Sequence, residues 1–419
     1  MAYVPVAFIL AGMAAYTVLA GADFGAGLWT LLAFGPDGHR VRDQARHAMG
    51  PVWEANHVWL IFVLVVCWTA YPVAFGSIAS TLAAPLLIAA IGIIFRGAAY
   101  ALRGVADYSR AAENLLGFSS ALTPFALGTA VGAIAVGHVP VGNAAGNQVT
   151  SWLSPAPVLV GALAVVFSGY LAAVYLAADS LRYADPELAA LFRRRALLAG
   201  ALSGGLALAG LLVMRGSGLN LTRGAALALV CVSGAAGLAT LALCRASRFG
   251  LARLTAALAV AAVVVGWAAA QTPRFLPGMT VTQAAAGNST LVALVIAVGC
   301  GAAVLVPSLG LLYTLFLRGR LDTPESHAPG DSARYPAAAT GEPLGESGST
   351  RDVSDSTRGT GGGTRGTAGR WGTAAVAGLV AGAGLLVFTD APWTHGLGVA
   401  GLLLCAVAVF ALTATPLDR

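Results

Sequence analysis

The stretch 4–33, VPVAFILAGMAAYTVLAGADFGAGLWTLLA, decides the fold class, because Asp23 is its single charged residue. A helix of this length exceeds the roughly 30 Å hydrocarbon layer of a bilayer. Comparable apolar runs recur along the chain, which is 58% hydrophobic and 10% charged, whereas a soluble domain carries about 25% charged residues. The alternation typical of a membrane barrel is absent, so the sequence predicts an all-α polytopic membrane protein.

The apolar runs predict eleven transmembrane helices in three segments. A core of nine spans occupies 1–320, a disordered cytoplasmic linker rich in Gly, Ser, Thr and Pro occupies 321–370, and a two-helix transmembrane hairpin occupies 371–419. The predicted spans are about 4–33, 51–75, 77–102, 114–136, 155–179, 196–214, 224–244, 252–270, 290–317, 372–389 and 396–415.

The charge distribution predicts the orientation. All 24 basic residues are arginine, the net charge is +6, and the arginines concentrate in alternate loops, whereas loop 137–154 carries no charge. Positive residues favour the cytoplasmic side, so we expect a multi-pass protein with its N-terminus outside and its C-terminus in the cytoplasm. Because the arginines lie between apolar spans, membrane topology explains them better than nucleic-acid binding does.

Four ionisable residues lie inside the predicted spans, where a charge costs about 2.5–3.5 kcal/mol on insertion scales. They are Asp23 in the first span, Glu54 and His57 in the second, and Arg96 in the third. The topology places all four in the cytoplasmic half. One interpretation is a proton path in which the acids act as relays and Arg96 tunes their charge; the alternative is a structural ion pair between Arg96 and Asp23 or Glu54 that joins the helices.

Cofactor ligands are not evident in the sequence. The five cysteines are scattered without a CxxC pair, which argues against zinc and iron–sulfur sites. His57 is a lone membrane histidine, more typical of hydrogen-bonded packing than of haem ligation. Since membrane haems usually need paired histidines on facing helices, we expect no metal site and no haem wholly within this chain.

Several segments resemble subunit II of cytochrome bd quinol oxidases. The family's second span opens with Gly-Pro-Val-Trp-Asp/Glu-x-Asn-x-Val-Trp, and residues 50–59 read Gly-Pro-Val-Trp-Glu-Ala-Asn-His-Val-Trp. The first-span glycine-rich element around Asp23, the Phe95-Arg96 element and the ninth-span element from Val306-Pro307 follow in the family's order. The resemblance covers residues 1–320.

The resemblance implies two four-helix bundles plus a peripheral helix, packed against a haem-bearing subunit I. In the family, subunit I ligates haems b558, b595 and d, and the complex oxidises quinol and reduces oxygen to water. Subunit II contributes to assembly, a lipid-facing wall and part of a cytoplasmic proton route. Carried over, Asp23 and Glu54 occupy the acidic positions of that route, with His57 beside them and Trp53 and Arg96 as neighbours.

This sequence departs from the family at three points, and one other function fits its acids. Glu54 stands where Asp is commoner, His57 where Gln or Glu is common, and Asp179 at a position that is usually basic. The alternative function is a proton-coupled secondary transporter with Asp23 and Glu54 as coupling acids, although no inverted repeat or pair of broken helices is evident.

Overall fold

The structure is a computed structural model, and it describes residues 1–49, 53–101, 110–216 and 218–317. The predicted linker at 321–370 and the predicted hairpin at 371–419 lie outside the described residues, so both stay predictions. Of Trp53 and Glu54 only the backbone is described.

The described chain is almost entirely helical. One short antiparallel hairpin joins β1 (Arg274–Leu276) to β2 (Met279–Thr280). The helices are α1 (Val4–Leu31), α2 (Gly38–Met49), α3 (Trp53–Ala70), α4 (Pro72–Thr81), α5 (Ala83–Ala101), α6 (Arg110–Ala135), α7 (Pro155–Arg182), α8 (Pro186–Val213), α9 (Gly224–Arg245), α10 (Phe249–Gln271), α11 (Val281–Ala284) and α12 (Asn288–Leu317).

Seven of the described helices are long and apolar enough to cross a membrane: α1, α6, α7, α8, α9, α10 and α12. The pair α4 and α5 passes the same test together, and α3 contains a shorter apolar helix. This confirms the prediction of an all-α polytopic membrane protein. The grouping into two four-helix bundles with a peripheral helix stays a prediction.

The third predicted span differs from the structure. We predicted one helix over 77–102, but two helices meet at Leu82 with an angle of 81° between them. Proline explains both starts, because it lacks an N–H and is tolerated only in the first turn of a helix. Pro72 begins α4, and Pro85 lies in the first turn of α5. The second predicted span, 51–75, correspondingly ends at Ala70.

A second difference is α2, which the apolar-run analysis missed because only one face of this helix is apolar. Val41 and Ala45 are buried in the main hydrophobic cluster, while Arg40 on another face reaches the start of α8. A search for long uncharged windows does not detect a short amphipathic helix.

Helix α1 packs against α3, α6, α7 and α10. Small residues permit this close packing, since they let helix backbones approach. A Cβ on Gly25 would lie 1.8 Å from the carbonyl oxygen of Ser168 on α7. A Cβ on Gly27 would lie 2.1 Å from the hydroxyl oxygen of Ser120 on α6. The glycine-rich half of α1, around Asp23, is therefore enclosed by neighbouring helices.

Candidate functional site

An ion pair between α1 and α5 lies inside the helix assembly. The Nη2 atom of Arg96 is 2.6 Å from Oδ1 of Asp23 and donates a second hydrogen bond of 2.9 Å to the Asp23 carbonyl oxygen. The Arg96 side chain is fully buried and that of Asp23 is 6% exposed. A charge removed from water is tolerated only when it is paired and hydrogen-bonded. Asp23 and Arg96 meet this requirement, because each side chain is the opposite charge and the hydrogen-bond partner of the other.

The hydroxyl of Ser120 holds the other end of the guanidinium. Nη1 of Arg96 donates to Ser120 Oγ, and this hydroxyl donates to the Leu116 carbonyl oxygen at 2.5 Å. Gly27 makes room for the contact, because a Cβ there would also come within 3.0 Å of Arg96 Nη1. Arg96 thus joins α5 to α1 and α6 at one point.

Aromatic rings form the next layer of the site. The Arg96 Cζ atom lies 5.0 Å from the centre of the Phe24 ring, a distance typical of a cation–π contact. On α3, the His57 ring meets the rings of Phe24 and Tyr16 edge to face, each at 5.9 Å between centres. Phe24 therefore contacts both the guanidinium and the imidazole.

The predicted site residues are only partly brought together in the described structure. Asp23 and Arg96 are in direct contact, which is the ion pair that the structural interpretation anticipated. His57 lies on α3 and reaches them through Phe24. Trp53 and Glu54 occupy the first turn of the same helix, and their side chains lie outside what the structure describes.

Sequence reasoning missed two polar residues of this site. Tyr16 lies two turns before Asp23 on the same face of α1, and its buried hydroxyl has no hydrogen-bond partner among the described residues. The sequence did carry a signal for Tyr16: its spacing of seven residues from Asp23 places both side chains on one face of a helix. Ser120 had none, because a serine in an apolar helix usually bonds to its own backbone, and only the fold brings Arg96 to it.

The residues of this chain do not form a recognisable haem or metal site in the described ranges. No group of three or more His, Cys, Asp or Glu side chains placed to hold a metal ion occurs there. The His57 ring meets the rings of Phe24 and Tyr16 edge to face.

A second membrane ion pair joins α7 to α10. The Nη2 atom of Arg253 lies 2.5 Å from Oδ1 of Asp179 and 2.8 Å from the Tyr175 carbonyl oxygen. The two side chains are 29% and 26% exposed. Asp179, which stands at a position usually basic in the family, lies in the last turn of α7.

An exposed ion-pair network links α2 to α8. Arg40 Nη2 donates to both carboxylate oxygens of Asp185, at 2.7 and 2.9 Å, and Nη1 lies 3.1 Å from Glu187. Asp185 also caps α8 by accepting from the Leu188 N–H. Partial burial favours a higher pKa for Asp185, but the hydrogen bonds from Leu188 and Arg40 outweigh it and lower that pKa. The hydrogen bonds that Arg40 donates to Asp185 and Glu187 raise the pKa of Arg40.

The family model described as cytochrome bd terminal oxidase subunit II matches residues 1–316 of this chain. Two proteins of Bacillus subtilis (strain 168) are similar over short regions. They are the cytochrome bd ubiquinol oxidase subunit 2, 30% identical over 115 residues, and a putative cytochrome bd menaquinol oxidase subunit II, 23% identical over 109 residues. Each match covers 26% of this chain and about a third of the relative, 33% and 32%.

The fold is also found among solved structures. A chain of the bd oxidase from Geobacillus thermodenitrificans aligns with a TM-score of 0.58 and 23% identity, covering 75% of this chain and 98% of that chain. At this identity the likeness concerns the fold alone.

Proposed function

Because this chain belongs to the cytochrome bd terminal oxidase subunit II family, we propose that it is the subunit of a quinol:oxygen oxidoreductase that ligates no haem itself. Its partner is a haem-bearing subunit I, which binds haems b558, b595 and d and the quinol. The complex oxidises quinol and reduces oxygen to water. The exposed apolar helices of this chain form part of the wall towards lipid and towards that partner.

Within the complex, this chain contributes a proton path from the cytoplasm. The observation that carries this proposal is the buried Asp23–Arg96 pair. Charged groups inside a membrane are costly and generally mark proton or ion routes when they are kept. Asp23 lies eight residues before the end of α1, or about 12 Å at 1.5 Å per residue. With the N-terminus outside, that end is the cytoplasmic one.

Each polar side chain has a separate role in this path. Asp23 carries the proton on its carboxylate, and the guanidinium of Arg96 compensates the negative charge when the proton leaves. Ser120 holds the guanidinium in place through its contact with Nη1. Since an arginine remains charged in proteins, Arg96 is a positioning residue and no proton carrier.

The second acid, Glu54, lies one helical turn before His57 on α3. A spacing of three residues puts both on one helix face. An imidazole can both accept and donate a proton, so His57 is suited to pass protons between the acids. Tyr16, with its buried hydroxyl, extends the polar line along α1 beyond Asp23.

The test is quinol-driven oxygen uptake by the purified complex with Asp23→Asn or Glu54→Gln. Loss of a proton-transfer group commonly costs 10²–10⁴-fold, so we expect uptake to fall at least about tenfold. The haem spectrum should stay normal, because neither residue is proposed to ligate haem.

The matched control is Asp179→Asn, which changes the less buried Asp179–Arg253 pair and should leave turnover near that of the unmodified complex. Full turnover in an assembled Asp23→Asn complex would refute the proton path while leaving the family assignment intact. A haem-free preparation that transports a solute with protons would instead support the secondary transporter.

A further inference from the structure

Three consecutive arginines occupy α8 directly before a long uncharged run. Arg193, Arg194 and Arg195 precede Ala196–Met214, which contains no charged residue. That run is about 28 Å long at 1.5 Å per residue, close to the hydrocarbon thickness of about 30 Å. The three guanidinium groups therefore lie at the depth of the lipid phosphates.

The three side chains have different surroundings because successive residues of a helix point about 100° apart. Arg193 donates from Nη1 to the Ser247 hydroxyl at 3.2 Å, in the turn between α9 and α10. Arg194 is exposed. Arg195 is half-buried and turns towards α1, so it differs from both neighbours.

Arg195 packs on aromatic rings at the junction of α1, α7 and α8. Its Cζ atom lies 4.8 Å from the Trp29 ring centre and 5.4 Å from the Phe192 ring centre. Trp29 is fixed by a 2.9 Å hydrogen bond from its indole N–H to the Gly169 carbonyl oxygen. The Nη1 atom of Arg195 is buried and has no hydrogen-bond partner within the described ranges. The side chain as a whole is partly exposed, so a group from outside the chain can approach it only through atoms other than Nη1.

The described carboxylates do not supply that acceptor. Arg195 belongs to no ion pair among the described side chains, and Asp37, which acts on it electrostatically, is bonded to Arg40 at 3.3 Å. Every acidic side chain that the structure describes is paired with an arginine other than Arg195: Asp23, Asp37, Asp43, Glu113, Asp179, Asp185 and Glu187. The Arg195 guanidinium therefore carries a positive charge that forms no ion pair with a carboxylate of the described part of the chain.

An apolar track leads from Arg195 into the membrane. Leu198 and Leu202 lie three and seven residues further along α8, on the same helix face, and are 72% and 54% exposed. A phosphate on the guanidinium would place an acyl chain along these two leucines. Basic sites between helices on the cytoplasmic side are suited to anionic lipid headgroups.

We propose that Arg195, supported by Trp29, binds the phosphate of an anionic phospholipid from the adjacent leaflet, with an acyl chain lying along Leu198 and Leu202. Charge complementarity decides the occupant: the guanidinium requires an anion at headgroup depth, and the leucines require an apolar chain beside it. This site is independent of the proton path.

The experiment compares Arg195→Gln with Arg194→Gln in the purified complex. Retention of phosphatidylglycerol, measured by native mass spectrometry, should fall at least about tenfold for Arg195→Gln, because a charge-assisted hydrogen bond is lost. Arg194→Gln, one residue away and exposed, should change it less than about twofold. Equal retention in both variants would overturn the proposal. Phosphatidylcholine and inorganic phosphate, added separately, should not replace phosphatidylglycerol; if phosphate alone binds equally well, the site recognises a free anion and the lipid proposal fails.

A second measurement needs no variant. The unmodified complex in vesicles containing phosphatidylglycerol with a photoreactive group on its acyl chain should be crosslinked within residues 195–202. Crosslinks that avoid this stretch would overturn the proposal even if Arg195→Gln fails to assemble. A carboxylate of the partner subunit as the acceptor would produce that same avoidance.

Discussion

Two ion pairs in this chain use the same chemistry in different surroundings. In each, Nη2 of an arginine contacts both an aspartate Oδ1 and a backbone carbonyl on the aspartate's own helix, and its Cζ lies 5.0 or 5.5 Å from an aromatic ring centre there. The Asp23–Arg96 side chains are 6% and 0% exposed, and those of Asp179–Arg253 are 26% and 29% exposed.

The difference in burial determines how strongly each pair matters. A buried pair contributes little net stability as a unit, but removing one partner leaves an uncompensated charge. The partly exposed Asp179–Arg253 pair is less completely desolvated, so losing one partner should cost less there. The Asp23–Arg96 pair should therefore be intolerant of single changes, whereas the Asp179–Arg253 pair should tolerate them.

The largest effect is expected for Arg96→Gln. It leaves the Asp23 carboxylate buried without its counter-charge, which typically costs about 3–5 kcal/mol. The measurement is the denaturant unfolding of the purified complex together with the yield of assembled complex. Arg253→Gln is the matched change and should cost about 1 kcal/mol or less. Equal losses in the two variants would contradict the role given to burial.

The next effect concerns the space around the buried pair. Gly27→Ala would bring a methyl group against Ser120 and Arg96, and overpacking of this kind costs about 1–3 kcal/mol. Thermal unfolding of the complex measures the change. Gly234→Ala is the control, because no atom lies within 4 Å of a Cβ there. An unchanged unfolding temperature for Gly27→Ala would mean that α1 and α6 can move apart without loss of stability.

Ser120→Ala tests the hydroxyl that holds Arg96. Removing it takes away the acceptor of Nη1, at a typical cost of about 1–2 kcal/mol for a buried donor. Oxygen uptake should decrease and its pH profile should shift, because the guanidinium is no longer held against Asp23. Ser120→Thr keeps the hydroxyl and should restore the profile. A pH profile unchanged in Ser120→Ala would limit Ser120 to packing.

The smallest effect is expected for the Arg40–Asp185 pair. This pair extends the comparison from ion pairs inside the helix assembly to one at the surface of the chain. The pKa of Asp185 is lowered in the folded chain from its ordinary 3.8, so its stabilisation is present above that value and is lost as pH falls through the lower folded-state pKa. Asp185→Asn preserves helix capping and removes the charge. At pH 7 the Asp185→Asn complex should unfold at a slightly lower temperature than the unmodified complex. This difference should vanish in acid. A difference that persists in acid would show that charge is not its cause.

The sequence by itself determined the membrane class, the positions of most spans and the costly residues within them. The hydrophobic content of long uncharged runs is a local property, and a bilayer needs helices of known length, so these features follow from composition and spacing. The break at Leu82 and the helix α2 were not predicted, because a search for long uncharged runs detects neither a helix start at a proline within such a run nor a short amphipathic helix.

Only the tertiary structure decided which charges meet. Asp23 and Glu54 were both candidates for Arg96, and the packing of α1 against α5 and α6 brought Asp23 into contact with it. Ser120 joined the site in the same way. Arg195 is the same residue type as its two neighbours in α8. The direction in which α8 turns it places its guanidinium on the Trp29 ring and leaves its Nη1 without an acceptor among the described residues. Burial and pairing are relations between distant segments, so no single segment specifies them.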